Sequence, residues 1–207
     1  MFQALIQEKV VAVVRRLDVA SVVPVIGALL EGGIRWVEVT MDSVSAALQI
    51  EMLTQAYGEH LMVGAGTVFT TDEVHTAVEA GAKFLVCPHL DVELLDAARV
   101  AGVPMIPGVM TPSEIRTALK AGASFLKVFP ASTLGPGFVR DVRGPFGNLQ
   151  TMVTGGLNED NFMDFLNSGA SAVGLGSFLF PKADIAQKNW STIRDRAKRV
   201  TGHLTGN

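Results

Sequence analysis

The chain of 207 residues contains a single cysteine, Cys87, so it cannot form an internal disulfide. Unpaired cysteine is typical of a reducing compartment, and the sequence therefore predicts a cytoplasmic protein. Histidine is also scarce. Of the four histidines, only His89 follows a predicted strand, and one histidine does not provide the three or four ligands of a metal site. We therefore expect neither a bound metal nor another cofactor.

Long apolar runs and basic clusters are missing as well. No stretch approaches the roughly 18 consecutive apolar residues of a membrane helix, and the N-terminus lacks the pattern of a signal peptide. With a net charge of −3 and no basic run, the chain is not expected to bind nucleic acid. Hydrophobic residues are abundant at 48%, which suits a sheet buried on both faces. The length predicts one domain, residues 1–207.

A short pattern recurs along the chain, in which the end of a helix is followed by a small residue, a glycine and an apolar strand. It occurs at Gly33, Gly81, Gly102, Gly122 and Gly169, where glycine can end a helix in a left-handed conformation. The spacing indicates strand–helix units of about 20–25 residues.

Strands are predicted at 9–14, 35–40, 61–66, 84–87, 104–108, 125–129, 151–154 and 171–175. Helices are predicted near 19–32, 43–57, 71–80, 91–101, 112–121, 136–142, 159–168 and 188–200. Eight alternating strands and helices in about 200 residues predict an α/β fold, a (β/α)8 TIM barrel. The alternative is an open, doubly wound sheet, which usually has fewer strands and one dominant glycine-rich turn.

Lys127 is the one charged residue in the apolar run from Phe125 to Phe129, which ends at Pro130. Such a run predicts a buried strand, and a lysine is rarely buried unless it is paired or functional. Burial disfavours the ammonium form, and a neutral amine can attack a carbonyl carbon to form a Schiff base. The alternative is a lysine whose ammonium group reaches solvent from the end of the strand.

Glu38 lies in the middle of the apolar strand that contains Trp36 and Val39. Because an unpaired buried carboxylate is unfavourable, it must face the barrel interior or pair with a neighbour such as Arg15 or Arg35. An acid and a lysine in barrel strands suit imine chemistry, in which the amine attacks a ketone and the carboxylate carries protons. Lys127 and Glu38 are therefore the predicted catalytic residues.

The other candidates lie where the strands end, because barrel active sites are built at the C-terminal ends of the strands. The candidates for substrate binding there are Arg15, Thr40, Thr67, Pro88, Phe129 and Thr154. Gly155 and Gly156 follow the seventh strand, and Gly176 and Ser177 follow the eighth. Turns at these places commonly bind phosphate through backbone N–H groups. A Gly-Gly pair alone is often only a tight turn, but two such turns after consecutive strands predict a phosphate site.

Six motifs in this order resemble the class I aldolase family that cleaves 2-keto-3-deoxy-6-phosphogluconate (KDPG) and 4-hydroxy-2-oxoglutarate (KHG). The motifs are Val37–Thr40, Val63–Val68, Cys87–Leu90, Pro107–Glu114, Leu126–Ala131 and Thr154–Gly156. The resemblance extends over about residues 5–200.

The resemblance implies a homotrimer of (β/α)8 barrels that cleaves the phosphorylated keto-deoxy acid reversibly to pyruvate and glyceraldehyde 3-phosphate. It places the Schiff base on Lys127, the proton shuttle on Glu38 and a pyruvyl-binding threonine on Thr67. It also places phosphate on Gly155, Gly156 and Ser177.

The chain departs from the family pattern at Asp42. Well-known members carry an arginine there, two residues after the threonine of the Glu-Val-Thr motif, which pairs with the substrate carboxylate. An aspartate would repel this carboxylate, so we expect Arg15, at the end of the first strand, to replace the arginine and Arg16 to point away. The departure leaves the galactonate-derived epimer and unphosphorylated hydroxy-oxo acids open as substrates.

Two further classes of protein remain as alternatives. The same barrel with the same phosphate turns also occurs in epimerases and synthases that form no imine, and a barrel can serve only to bind a ligand. Lys127 discriminates between them, because only an imine-forming aldolase needs a buried lysine facing a carboxylate.

Overall fold

The computed structural model describes residues 1–205, so residues 206 and 207 of the predicted domain lie outside the described part. The strands are β1 (Val10–Val14), β2 (Trp36–Thr40), β3 (Met62–Gly66), β4 (Leu85–Val86), β5 (Met105–Ile106), β6 (Gly108–Val109), β7 (Leu126–Val128), β8 (Thr151–Thr154) and β9 (Ala172–Leu175). The helices are α1 (Phe2–Glu8), α2 (Val19–Glu31), α3 (Ala46–Tyr57), α4 (Thr71–Glu79), α5 (Val92–Val100), α6 (Pro112–Lys120), α7 (Ala131–Phe146), α8 (Phe162–Asn167), α9 (Lys182–Ala186) and α10 (Trp190–Thr205).

All strand pairs are parallel, in the order β5-β4-β3-β2-β1-β9-β8-β7-β6. The two outer segments, β5 and β6, are halves of the predicted fifth strand, separated at Pro107, which has no N–H to donate. The first half pairs with β4 and the second with β7. The Pro107 carbonyl accepts a hydrogen bond from the Lys127 N–H at 2.8 Å. The sheet thus closes, and the predicted (β/α)8 barrel is confirmed.

The interior of the barrel is filled at its N-terminal end. Alternate strand residues point inward there and form a buried cluster that includes Trp36, Phe84, Phe125 and Met152. Helix α1 covers this end, with Leu5 fully buried in the same cluster. The strand residues between these inward-pointing ones point outward and pack against the helices. A cavity opens towards the C-terminal ends of the strands, where the predicted site residues lie.

Several helices differ from the sequence prediction. Helices α1 and α9 were not predicted. Helix α7 covers 131–146 rather than 136–142 and is broken at Gly135, which has a φ of 73°. Helix α8 is shorter than predicted, at 162–167. Within residues 1–205, no helix combines the length and apolar character needed to cross a membrane.

Candidate active site

A cavity of about 790 Å³ opens at the C-terminal end of the barrel. It is lined by all twelve residues that the sequence predicts for the site, namely Arg15, Glu38, Thr40, Thr67, Pro88, Lys127, Phe129, Thr154, Gly155, Gly156, Gly176 and Ser177. They come from seven strands, β1 to β4 and β7 to β9, or from the turns directly after them. Closure of the barrel brings them together, because each stands at or near the same end of its strand.

Lys127 and Glu38 face each other at the base of the cavity. The alternation of β7 and β2 turns both side chains inward, and both are buried. Lys127 Nζ lies 3.7 Å from Glu38 Oε1 and 5.5 Å from the centre of the Phe129 ring. Lys127 therefore does not extend to solvent from the strand end. The two arginines considered as partners of Glu38 are engaged elsewhere, since Arg15 pairs with Asp42 and Arg35 with Glu8.

Space for the Glu38 carboxylate is provided by the neighbouring strand. Gly66 lies beside it at the end of β3, and a Cβ at this position would overlap with the carboxylate. Neither oxygen of Glu38 accepts a hydrogen bond from the described residues. Both oxygens can therefore accept protons from a molecule bound in the cavity.

The turns after β8 and β9 form another side of the cavity. Gly155 and Gly156 have φ angles of 103° and 75°, a region that other residues rarely adopt. A Cβ at Gly155 would also lie 3.1 Å from the Phe129 ring. The Thr154 hydroxyl is buried and has no hydrogen-bond partner among residues 1–205. Backbone N–H groups of such a turn and a hydroxyl without a partner among the described residues suit an anionic oxygen group.

Two threonines line the cavity: Thr67 has an unusual backbone conformation, and Thr40 is held by a hydrogen bond. Thr67 has a φ of 55°, which is uncommon for a β-branched residue, and such strained residues cluster at functional sites. The Thr40 hydroxyl donates a hydrogen bond to the Val14 carbonyl at 3.3 Å. Thr40 thus ties β2 to β1.

The arginines after β1 are arranged differently from the prediction. Arg15 donates from Nε and Nη2 to Asp42 Oδ2 at 3.0 and 2.8 Å. Arg16 does not point away: its Nη2 lies 3.2 Å from the same oxygen, and it lines the same cavity. Strand alternation fails here because β1 ends at Val14 and Arg16 has a φ of 53°.

Asp42 is thus paired with two cations. Burial acts to raise the pKa of Asp42, but the Thr40 hydroxyl and the charges of Arg15 and Arg16 outweigh it, so this pKa lies below its usual value. The aspartate is therefore ionised at neutral pH and offsets one of the two guanidinium charges.

Comparisons with known proteins agree with this geometry. A family model described as KDPG and KHG aldolase matches residues 2–196. The chain belongs to this family. A probable 2-dehydro-3-deoxy-6-phosphogalactonate aldolase of Rhizobium meliloti is 33% identical over 90% of this chain and 91% of its own. The KHG/KDPG aldolase of Escherichia coli is 33% identical over 92% and 88%.

Among solved structures, a KDPG aldolase from Legionella pneumophila with pyruvate captured as a covalent carbinolamine intermediate has a TM-score of 0.88 to this chain. It is 32% identical and covers 94% of this chain and 95% of its own. The predicted family is confirmed, and the protein is an aldolase, a carbon–carbon lyase.

Sequence reasoning missed several residues that line the cavity of this aldolase. Lys182, Phe180 and Ile185 come from the region of the unpredicted helix α9, and Phe69 from the turn after β3. A lysine soon after the last strand, beyond Gly176 and Ser177, is a signal that could have identified Lys182.

Cys87 has a structural role in the core. It is fully buried in the core, and its Sγ donates to the His89 carbonyl at 2.9 Å. Burial raises the pKa of the Cys87 thiol, which therefore stays protonated and unreactive.

Proposed function

We propose that this aldolase cleaves KDPG reversibly to pyruvate and glyceraldehyde 3-phosphate through an imine on Lys127. The observation that carries the proposal is the buried pair of Lys127 and Glu38, 3.7 Å apart, in a cavity that is also lined by the two turns predicted to bind phosphate. The Legionella pneumophila relative with its covalent pyruvate adduct supports the same chemistry.

The reaction begins when the Lys127 amine attacks the substrate ketone to give a carbinolamine. Loss of water then gives the imine, which attracts electrons from the bond between its α and β carbons. Glu38 accepts the proton of the hydroxyl on the β carbon, the bond breaks, and the aldehyde product leaves. The remaining enamine takes a proton at its terminal carbon, and water hydrolyses the imine to release pyruvate and free Lys127.

The charges of the cavity suit a substrate with an anion at each end. Arg15, Arg16 and Lys182 line it with cationic groups, and Asp42, beside the two arginines, offsets one of these charges. The whole chain has a net charge of −3, so the positive cavity would attract the substrate selectively. In the proposed orientation the carboxylate binds near Arg15, with Thr67 and Pro88 beside the pyruvyl part and Thr40 at the wall.

The phosphate then lies at the opposite side, against the backbone of Gly155, Gly156, Gly176 and Ser177. Thr154 and the Phe129 ring lie between this side and Lys127. Lys182 adds a cation to this part of the cavity. No residue that we assign to the reaction requires a metal or another cofactor.

A second candidate substrate is the galactonate-derived epimer of KDPG. The Rhizobium meliloti relative is described as a probable aldolase for this epimer, and this chain carries Asp42 where the gluconate-type pattern has arginine. KHG, which would yield pyruvate and glyoxylate, is a further substrate class. Initial rates with the three compounds, each at several concentrations, would rank them by kcat/KM.

The proposed assembly is a homotrimer of single-domain barrels. Its support is a set of exposed apolar side chains on the connections that follow β2 to β6, namely Val44, Leu48, Phe69, Val92 and Met110. A patch of this kind on consecutive connections is typical of an interface between copies. The cytoplasmic location stays a prediction.

The test of the proposed function is borohydride reduction in the presence of pyruvate, followed by peptide mass mapping. We expect the reduced adduct on Lys127 alone, with irreversible loss of activity. Lys127→Met should abolish labelling, whereas Lys120→Met, at an exposed position of α6, should label as the wild type does. Adduct formation at Lys120 or Lys83 instead, or no adduct at all, would contradict the imine mechanism.

A further inference from the structure

Two arginines after β1 share one carboxylate oxygen at the mouth of the cavity. Arg15 reaches Asp42 Oδ2 with Nε and Nη2, and Arg16 approaches it with Nη2 at 3.2 Å. The arginine side chains are 58% and 71% exposed, whereas that of Asp42 is 18% exposed. The carboxylate is thus the fixed, inner member of the cluster, and the guanidinium groups are its outer members.

The loop that carries Asp42 is itself tied to the loop that carries the arginines. The Arg16 N–H donates to Ser43 Oγ at 2.9 Å, and Gln49 Nε2 donates to the Leu17 carbonyl at 2.7 Å. Ser43 and Gln49 are buried. These bonds hold the backbone of the two loops together without Asp42, so the Asp42 contacts act chiefly on the orientation of the arginine side chains.

The geometry of Arg15 leaves room for a second anion. A guanidinium group has five N–H donors, and the edge made by Nε and Nη2 is occupied by Asp42. The edge made by Nη1 and Nη2 remains, and such an edge can bind a carboxylate through two parallel hydrogen bonds. With two cations and one anion, the cluster also keeps a net positive charge towards the cavity.

We propose that Asp42 is a positioning residue for substrate binding: it holds Arg15 with its second edge towards the cavity, where the keto acid's carboxylate is received. The inference rests on the proposed function, since it requires a carboxylate-bearing substrate. It reverses the expectation from the sequence that Asp42 repels this group. The aspartate of this chain and the arginine of the usual family pattern would thus serve the same carboxylate by different means.

Positioning and repulsion predict opposite effects of removing Asp42 on the affinity for pyruvate. If Asp42 orients Arg15, its removal lets a long, exposed side chain sample many rotamers, and pyruvate binds less well. If Asp42 repels the substrate, its removal strengthens pyruvate binding.

The experiment measures the pyruvate concentration that gives half-maximal borohydride trapping on Lys127 in the wild type, Asp42→Ala and Asp42→Asn. We expect Asp42→Ala to raise this concentration about tenfold, as for loss of a charge-assisted hydrogen bond, with a smaller rise for Asp42→Asn. Trapping at saturating pyruvate should be unchanged. Asp96→Ala breaks another aspartate–arginine pair, that with Arg99 at 3.1 Å on exposed α5, and should have no effect.

A neutral ketone separates positioning from a general structural role. Pyruvamide forms the same imine but has no carboxylate, so Asp42→Ala should leave its half-saturating concentration within about twofold of the wild type. In an Arg15→Ala background, Asp42→Ala should add little further loss for pyruvate, because the two residues act as a unit.

The outcomes distinguish this inference from the proposed function. No trapping of pyruvate on wild-type Lys127 overturns the proposed function, and this inference falls with it. The positioning role alone is overturned if pyruvate is trapped on wild-type Lys127 but both folded Asp42 variants need the same or a lower pyruvate concentration for half-maximal trapping. The positioning role is also overturned if Asp42→Ala raises the half-saturating concentrations of pyruvate and pyruvamide by the same factor. Circular dichroism establishes whether each variant is folded. If Asp42→Ala does not fold, the comparison is made with Asp42→Asn.

Discussion

At the scale of single residues, strand alternation places the reacting groups. Trp36, Glu38 and Thr40 share the inner face of β2, just as Phe125, Lys127 and Phe129 share one face of β7 and its end. The sequence predicts this arrangement, but it leaves open a Lys127 that reaches solvent and a Glu38 paired with an arginine; the 3.7 Å contact between the two side chains decides for the interior. Arg16 was predicted wrongly because alternation applies only within a strand, and its positive φ lies beyond the end of β1.

Glu38→Gln tests the proton-transfer role at this scale. Glutamine keeps the shape of the side chain, which Gly66 accommodates, but it cannot accept the substrate proton. We expect turnover to fall by roughly 10²–10⁴, while the thermal midpoint stays close to that of the wild type. Steady-state cleavage assays and thermal denaturation measure the two quantities.

Glu79→Gln is the matched control for the same exchange, since Glu79 is exposed at the end of α4 and does not line the cavity. It should leave turnover unchanged. Near wild-type turnover in Glu38→Gln would return Glu38 to a structural role.

At the scale of elements, the strands were more predictable than the helices. The eight strand positions follow from short apolar runs, most of them with a glycine or proline close to one end, and the break at Pro107 was not predicted. Helix α1 was missed although it covers the barrel end, because seven residues give too short a periodic pattern. Helix α9 was missed for the same reason, and Lys182 with it.

Helix α9 places Lys182 by tertiary contact rather than by its own stability. It has only five residues and is joined to α10 by an ion pair of Asp184 with Arg196, at 3.3 Å, in which both side chains are largely buried. The helix begins at Lys182, directly after Pro181. The position of this cation therefore depends on the α9–α10 contact, which no local pattern in the sequence could indicate.

Lys182→Ala tests the contribution of this element. Because Lys182 is exposed, its attraction for phosphate is screened, and we expect KM for KDPG to rise about two- to fivefold. The KM for unphosphorylated KHG should not change, since KHG has no group on that side of the cavity. Lys198→Ala, at an exposed position of α10, is the control and should leave both constants unchanged. Equal increases for both substrates would contradict a contact with phosphate.

At the scale of the whole molecule, the two ends of the barrel differ in what covers them. The N-terminal end is closed by α1 from the same chain. Near the C-terminal end, the connections after β2 to β6 leave Val44, Phe69, Val92 and Met110 exposed. The Phe69 ring stacks on His89 with centroids 5.6 Å apart, so the connections after β3 and β4 are in contact. This asymmetry could not be predicted from composition, because it depends on which loops meet.

The proposed homotrimer predicts that this surface is buried between copies. Size-exclusion chromatography with light scattering should give three times the 22.0 kDa of one chain. Val44→Glu combined with Met110→Glu should shift the mass towards the monomer, because a charge at the centre of an apolar interface is strongly unfavourable. Neither residue lines the cavity, so a change in mass would not arise from altered substrate binding.

Val100→Glu is the matched control, since Val100 is equally apolar and exposed but ends α5, at the N-terminal side of the barrel. Helices of this fold run antiparallel to the strands, so Val100 lies far from the loops that carry Val44 and Met110. The control should keep the wild-type mass. A monomeric wild type, or dissociation by Val100→Glu without dissociation by the double variant, would contradict the assembly. If the double variant dissociates and still forms the imine on Lys127, each barrel carries a complete site, as the lining of the cavity by one chain indicates.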